Sequence, residues 1–334
     1  MLDSPPRSRV ARLARSFMLV VAPGLLQHAA HGRCQATLAR LAHYAQPPVA
    51  GPDGLAPLVC TLTGLGASAP IGALLAAGAR LSTGTDTWLV ADPVTLVPGR
   101  QDVTLAGRVD DLERGECDEL VTALNAHFHD DRLAFTATRP DACLARIPGV
   151  VAVTMTPVER ARGTSLASLL PAGDDAARWR RWQDEIQMLL HAHPVNGERE
   201  ARGQPPVNAV WFWGAGRLLD AAIPPPFSVD APPTRLGDLA RGIGSLAAAS
   251  DPAPRRPLVV TRPLATSADA DTFVDDTLAP ALEALERGAT TRLVLAADGA
   301  QGAFAWSAAA PTWMRRSLAR LRARPFVAPA AVAS

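Results

Sequence analysis

Between Leu189 and Gly216 the chain reads LLHAHPVNGEREARGQPPVNAVWFWGAG, its densest run of specific polar side chains. Arg199 and Arg202 are three residues apart, so they share a face if the segment is helical. Two guanidiniums so placed can grip a phosphate or carboxylate through paired hydrogen bonds, and His193 and Asn196 add donors beside them. The apolar run from Val207 to Trp213 reads as a central strand buried on both faces and ends in a turn at Gly214-Ala215-Gly216. A strand running into a glycine turn is where open α/β sheets place ligands. His193, Asn196, Arg199, Arg202, Asn208, Gly214 and Gly216 are therefore the candidate ligand-binding residues. A plainer reading stands beside this one. Glu198 and Glu200 would neutralise the arginines on a solvated face, and Asn196 and Asn208 would fix loops through side-chain to backbone bonds. Trp211, Phe212 and Trp213 read as core.

Other chemistry-bearing residues are scattered. Ser68 lies in the glycine-containing turn GLGASAP ahead of a helix-like stretch. The turn lacks the G-x-S-x-G elbow and the G-K-[ST] ending of a phosphate-binding loop, so a helix N-cap is its expected role. His127 and His129 flank Phe128 and precede Asp130, as residues at an exposed helix end would. Cys34, Cys60, Cys117 and Cys143 are far apart, with no metal-ligand spacing, and read as free thiols of a reducing compartment.

Bulk composition narrows the classes. The 334 residues carry a net charge of +1, which argues against an electrostatic nucleic-acid binder. All basic residues are arginine, and with so much Ala and Pro this reflects base composition of the gene more simply than phosphate binding. Arg7, Arg9, Arg12 and Arg15 precede the apolar FMLVVAPGLL, the outline of a signal peptide. Pro23-Gly24 interrupts that run, so Phe17 to Ala22 is read as a first buried strand. No run reaches the roughly 20 apolar residues of a membrane span, and a cytoplasmic protein is expected.

Strands and helices alternate, which predicts an α/β fold. Strands are expected at Phe17 to Ala22, Thr87 to Ala91, Val150 to Met155, Val207 to Trp213, Leu258 to Thr261 and Arg292 to Ala296. Helices are expected at Arg33 to Ala45, Pro70 to Ala79, Glu116 to Phe128, Ala176 to His191, Arg235 to Ala249, Asp275 to Arg287 and Trp313 to Arg322, with a frayed tail from Pro325.

The stretch His193, Pro194, Asn196, Arg199, Gly203, Pro205, Pro206 and Asn208 resembles the H-P-x-N-x-x-R-x-x-x-G-x-P-P-x-N segment of archaeal-type cofactor-independent phosphoglycerate mutases. The ending WFWGAG looks closer to the bacterial RpfE-type regulatory proteins, a diverged branch of that group, and WLVADPVTLVPGRQDVTL from Trp88 supports the likeness. The resemblance implies an alkaline-phosphatase-like α/β core, residues 1–92 and 205–334, with a smaller α/β domain, 93–204, inserted.

It also implies where two divalent metals would sit, and there the chain departs from the pattern. The family's metal-binding Asp-Gly after the first strand is Pro23-Gly24 here, and its late Asp-His is Asp298-Gly299. Its intervening acid and His become TSADAD, and no histidine follows His193. No cofactor, no metal and no catalytic residue are therefore expected, with Asp269, Asp271 and Asp298 the weak candidates for a single Mg²⁺. The reading is a catalytically degenerate regulatory protein that binds an unknown protein partner or a small phosphorylated or carboxylated ligand, without nucleic acid or membrane. The alternatives are an active metal-dependent mutase or phosphatase with a rearranged site, and an interaction protein with no ligand pocket.

Overall fold

The computed structural model describes residues 17–99, 102–248 and 255–311. The expected helix from Trp313, the tail and the basic residues before Phe17 lie outside them. The described residues form two compact units: a discontinuous one, drawn from the ranges 1–64 and 223–334, and a continuous one, from 65–222.

The discontinuous unit is built on a six-stranded sheet ordered β2-β11-β10-β1-β9-β8. Strands β1 (Phe17–Ala22), β8 (Phe227–Asp230), β9 (Arg256–Val260) and β10 (Arg292–Gly299) run parallel. β11 (Gly302–Ala309) and β2 (Val49–Gly51) add an antiparallel edge. β1 is apolar at every position because both faces of the sheet are covered. Met18, Val20 and Ala22 face a core with Leu38 and Leu41 of α1 (Gly32–Tyr44) and Leu282 and Leu285 of α10 (Ala279–Glu286). α2 (Leu55–Leu62) packs on β10 and β11, and α8 (Arg235–Ala248) on β8 and β9. The helix expected at Asp275 starts earlier, as α9 (Ser267–Phe273), and passes through a π-helical turn at Val274–Leu278 into α10.

The strands of the sheet in the continuous unit all pair antiparallel. β3 (Thr87–Pro98) pairs along one side with β6 (Ala142–Ile147) and β4 (Val103–Arg108), and along the other with β7 (Ala209–Gly216). β5 (Ala134–Arg139) pairs with β6. Leu120, Leu124 and Phe128, at and just after α4 (Arg114–His127), join Trp179, Trp182 and Ile186 of α6 (Ala176–His191) over one face in a single core. α3 (Ile71–Gly78) packs on β3 and β7.

The α/β class expected from sequence is present, but three expectations change. The domain boundaries placed at 92/93 and 204/205 give way to 64/65 and 222/223, because β3 and β7 pair with each other and so belong to one unit. Val150 to Met155 is not a strand; it holds an isolated bridge between Thr154 and Ala172, and Val150 is exposed. The run ending in WFWGAG is not a central strand. Among the described residues β7 pairs with β3 alone, so it is an edge strand that helices cover on both faces.

Candidate functional site

The polar segment after α6 turns inward. His193 caps α7 (Pro194–Ala201), its Nδ1 accepting from the Val195 amide at 3.3 Å. Pro194 suits the first position of a helix, where no amide donor is needed. The buried Asn196 donates to the carbonyls of Leu190, 2.7 Å, and Val207, 2.8 Å, and accepts from the Val207 amide at 2.7 Å. Asn208 joins the β3 backbone in the same way, accepting from the Leu96 amide and donating to its carbonyl. The loop-fixing reading of both asparagines is what the geometry displays.

Arg199 has no exposed surface. Its Nε donates to the Pro205 carbonyl at 2.9 Å, one terminal nitrogen to Glu116 at 2.8 Å and the other to Asp111 at 2.6 Å. Arg202, whose side chain is 45% exposed, also pairs with Glu116 and donates to Gln204. The arginines are thus neutralised from α4 and the loop before it rather than by Glu198 and Glu200, and Arg199 has no face left for an anion.

Gly214 does not end the strand. Trp88 pairs with Gly216 and Val90 with Trp213, so β7 carries one extra residue there. That is a β-bulge, and the φ of 61° at Gly214 suits glycine. Because β7 is antiparallel, the rule that placed a ligand at its end does not apply. A buried group that sequence reading missed lies nearby: Asp92 of β3 accepts from the Trp213 indole at 2.7 Å. Burial opposes the charge of Arg108, but the carboxylates of Asp92 and Asp110 outweigh it and hold its pKa above the usual value.

Ser68 is exposed and is not the N-cap of α3, a position Pro70 takes. His127 meets Glu185 at 3.2 Å, and His129 meets Asp130 at 3.2 Å on the surface. All four cysteines are free and buried, with Cys60 pushed up to about 12 by desolvation.

The other candidate region is the carboxyl edge of the parallel strands. After β1 the chain turns through Pro23-Gly24, and the Gly24 amide donates to Asp298 Oδ1 at 2.7 Å. Gly24 has φ 79°, and a Cβ there would lie 2.8 Å from the Leu264 carbonyl oxygen, so the turn admits only glycine. The Leu264 amide donates to the Pro23 carbonyl, continuing the parallel pairing past β9. His28 Nε2 lies 3.1 Å from the Leu264 carbonyl, and its Nδ1 is 3.4 Å from Ser267 Oγ. Asp269 closes a capping box with Thr266, whose hydroxyl and amide both bond its carboxylate and hold its pKa below the usual range. Burial pushes Asp298 above that range, against the bond from Gly24. Asp271 lies against the start of α1, where desolvation first and its charge second push Cys34 up to about 11.

These donors do not fit two divalent metals. Pro23 offers no ligand, Asp298 accepts from the Gly24 amide, and Asp269 is engaged by Thr266. Among the described residues no three His, Cys, Asp or Glu side chains converge as a metal site would require.

No family model matches the chain. It is distantly homologous to cofactor-independent phosphoglycerate mutases. Over 139 residues, 41% of the chain, it is 30% identical to a "Probable 2,3-bisphosphoglycerate-independent phosphoglycerate mutase" of Geobacter sulfurreducens. Over 61 residues, 18% of the chain, it is 38% identical to the 2,3-bisphosphoglycerate-independent phosphoglycerate mutase of Methanothrix thermoacetophila. The matches span only 33% and 16% of those relatives' lengths. Among solved structures it is similar to the PH0037 protein of Pyrococcus horikoshii, with a TM-score of 0.44 and 14% identity over 89% of this chain and 88% of that one. It is also similar to the cofactor-independent phosphoglycerate mutase of Thermoplasma acidophilum, with a TM-score of 0.35 and 15% identity over 87% of this chain and 89% of that one. Neither structural likeness is close enough to speak to function. Among the described residues no helix is long and apolar enough to cross a membrane.

Proposed function

We propose that this chain is a catalytically degenerate, phosphoglycerate-mutase-like protein that works by binding a protein partner or a small anion in the cytoplasm, as an RpfE-type regulatory protein would. The observation that carries the reading is the Pro23-Gly24 turn bonded to Asp298. Phosphoryl transfer through two divalent metals needs several carboxylates and imidazoles around both ions. Here the first expected carboxylate is a proline, and the remaining one is spent on a backbone amide in a partly desolvated place. Gly299 stands where the resemblance expects an imidazole, and it is closely packed, since a Cβ there would lie 2.8 Å from Leu26 Cβ. The two acids that the resemblance would offer to a metal, Asp298 and Asp269, are instead hydrogen-bonded to the Gly24 amide and to Thr266.

The purified chain, given 3-phosphoglycerate with Mn²⁺ or Zn²⁺, should form no 2-phosphoglycerate above the buffer control. Losing the charge clamp removes several kcal/mol of transition-state stabilisation. Turnover that disappears with a chelator would overturn this reading and restore the active enzyme with a rearranged site. Should an anion prove to be the ligand, Arg202 is the exposed guanidinium of the candidate segment, and Arg202→Ala should weaken its binding.

A further inference from the structure

We propose that Ser267 and His28 form a nucleophile–base pair that accepts an acyl group from a neutral activated ester. The pair is independent of the phosphoryl chemistry discussed above. His28 Nε2 faces the Leu264 carbonyl at 3.1 Å. A carbonyl only accepts, so in the neutral ring Nε2 carries the hydrogen and Nδ1 presents the lone pair. That lone pair is directed at Ser267 Oγ, 3.4 Å away. A serine, a base within reach and a third group that orients the base are the parts of an activated nucleophile, and their spacing is commonly loose without substrate. The parts come from different elements: His28 from the turn after β1, Leu264 from the loop after β9, and Ser267 from the first residue of α9. Gly24 lets Leu264 approach, since any Cβ at that position would displace its carbonyl. Ser267 is exposed and His28 is partly buried, so the hydroxyl is open to a substrate.

The surroundings select the substrate class. Asp269, exposed beside Ser267, accepts hydrogen bonds from the Thr266 amide and hydroxyl, and Asp271 follows two residues later. Negative charge next to Ser267 disfavours a phosphate ester and leaves a neutral acyl ester as the fitting electrophile. In the first step Ser267 Oγ bonds to the acyl carbon and its hydrogen passes to His28 Nδ1. The alcohol leaves with the electron pair of the broken C–O bond and takes that proton. Water then attacks the Ser267 ester with His28 again as base; the carboxylic acid departs, and Oγ regains its hydrogen.

The test uses the full chain with p-nitrophenyl acetate, followed by nitrophenolate release, and in parallel a fluorophosphonate probe whose adduct is located by mass spectrometry. A burst and a single adduct on Ser267 are expected, both lost in Ser267→Ala. His28→Gln keeps an amide donor for Leu264 and removes the base, so labelling should slow about 10²-fold while the melting temperature stays within a degree or two of the parent's. Adducts on other serines, no adduct at all, or labelling of His28→Gln at the parent rate would each overturn the proposal. The position of the adduct on the parent decides the matter even if a variant fails to fold.

Discussion

The segment from His193 to Asn208 and the carboxyl edge of the parallel strands both gather polar side chains, but they relate to water in opposite ways. In the first, Arg199 is wholly enclosed and each of its nitrogens is matched by an acceptor. In the second, Ser267 and Asp269 are exposed, and His28 keeps a ring nitrogen directed at a surface hydroxyl. Enclosure makes the first cluster a brace, tying α7 to α4 and to the segment 205–207 that leads into β7. Exposure leaves the second able to meet another molecule. Density of donors along a sequence does not by itself mark a site; what matters is which donors the fold has not used.

The interior of the continuous unit should tolerate losses poorly. Trp213→Ala should be the most damaging change, costing about 3–5 kcal/mol for the lost ring and more because Asp92 loses its 2.7 Å indole donor. Chemical denaturation of the variant against the parent measures it. A loss below about 1 kcal/mol, the scale of an exposed site, would place Trp213 at the surface.

The two arginines separate brace from surface more sharply. Arg199→Met should cost about 3 kcal/mol, because it strips one partner from carboxylates packed against a buried guanidinium. Arg202→Met should cost under about 1 kcal/mol, since its side chain is 45% exposed and Arg199 still holds Glu116. Equal losses in the two variants would erase the distinction. Asn196→Ala falls between them at about 1–3 kcal/mol, because it orphans the backbone groups of Val207 in the interior.

Much of the scaffold is legible in the sequence. β1 shows as an unbroken apolar run, and α6 occupies the range its periodicity predicts, Ala176–His191. The run at Val150 to Met155 has the same apolar look yet pairs with nothing beyond one bridge, because it lacks a neighbouring strand to extend. Arg199 shows the limit most clearly. Local spacing offered Glu198 and Glu200 as partners, but the groups that meet it are Glu116 and Asp111, 83 and 88 residues away. Only tertiary packing brings them together. The His28–Ser267 approach spans 239 residues and carries no local signature either.

The smallest effect concerns the carboxyl edge, and it has a definite sign. Burial raises the pKa of Asp298 in the folded chain, so the folded state holds that proton to higher pH than the unfolded state does. The resulting stability is fully present below the ordinary carboxylate range and is lost as pH rises from there through the raised folded value. Asp298→Asn keeps an oxygen that accepts from Gly24 but cannot ionise. The parent should therefore lose stability relative to Asp298→Asn across that window, and the difference should be flat on either side of it. Melting temperatures of the two proteins, compared from acid to neutral pH, cancel the other carboxylates and isolate this one. A difference that grows in the opposite direction would mean the ionised carboxylate is the favoured form. Asp298 would then be a live anion at the edge of the sheet, and a cation there would again become the simplest account of why it is kept.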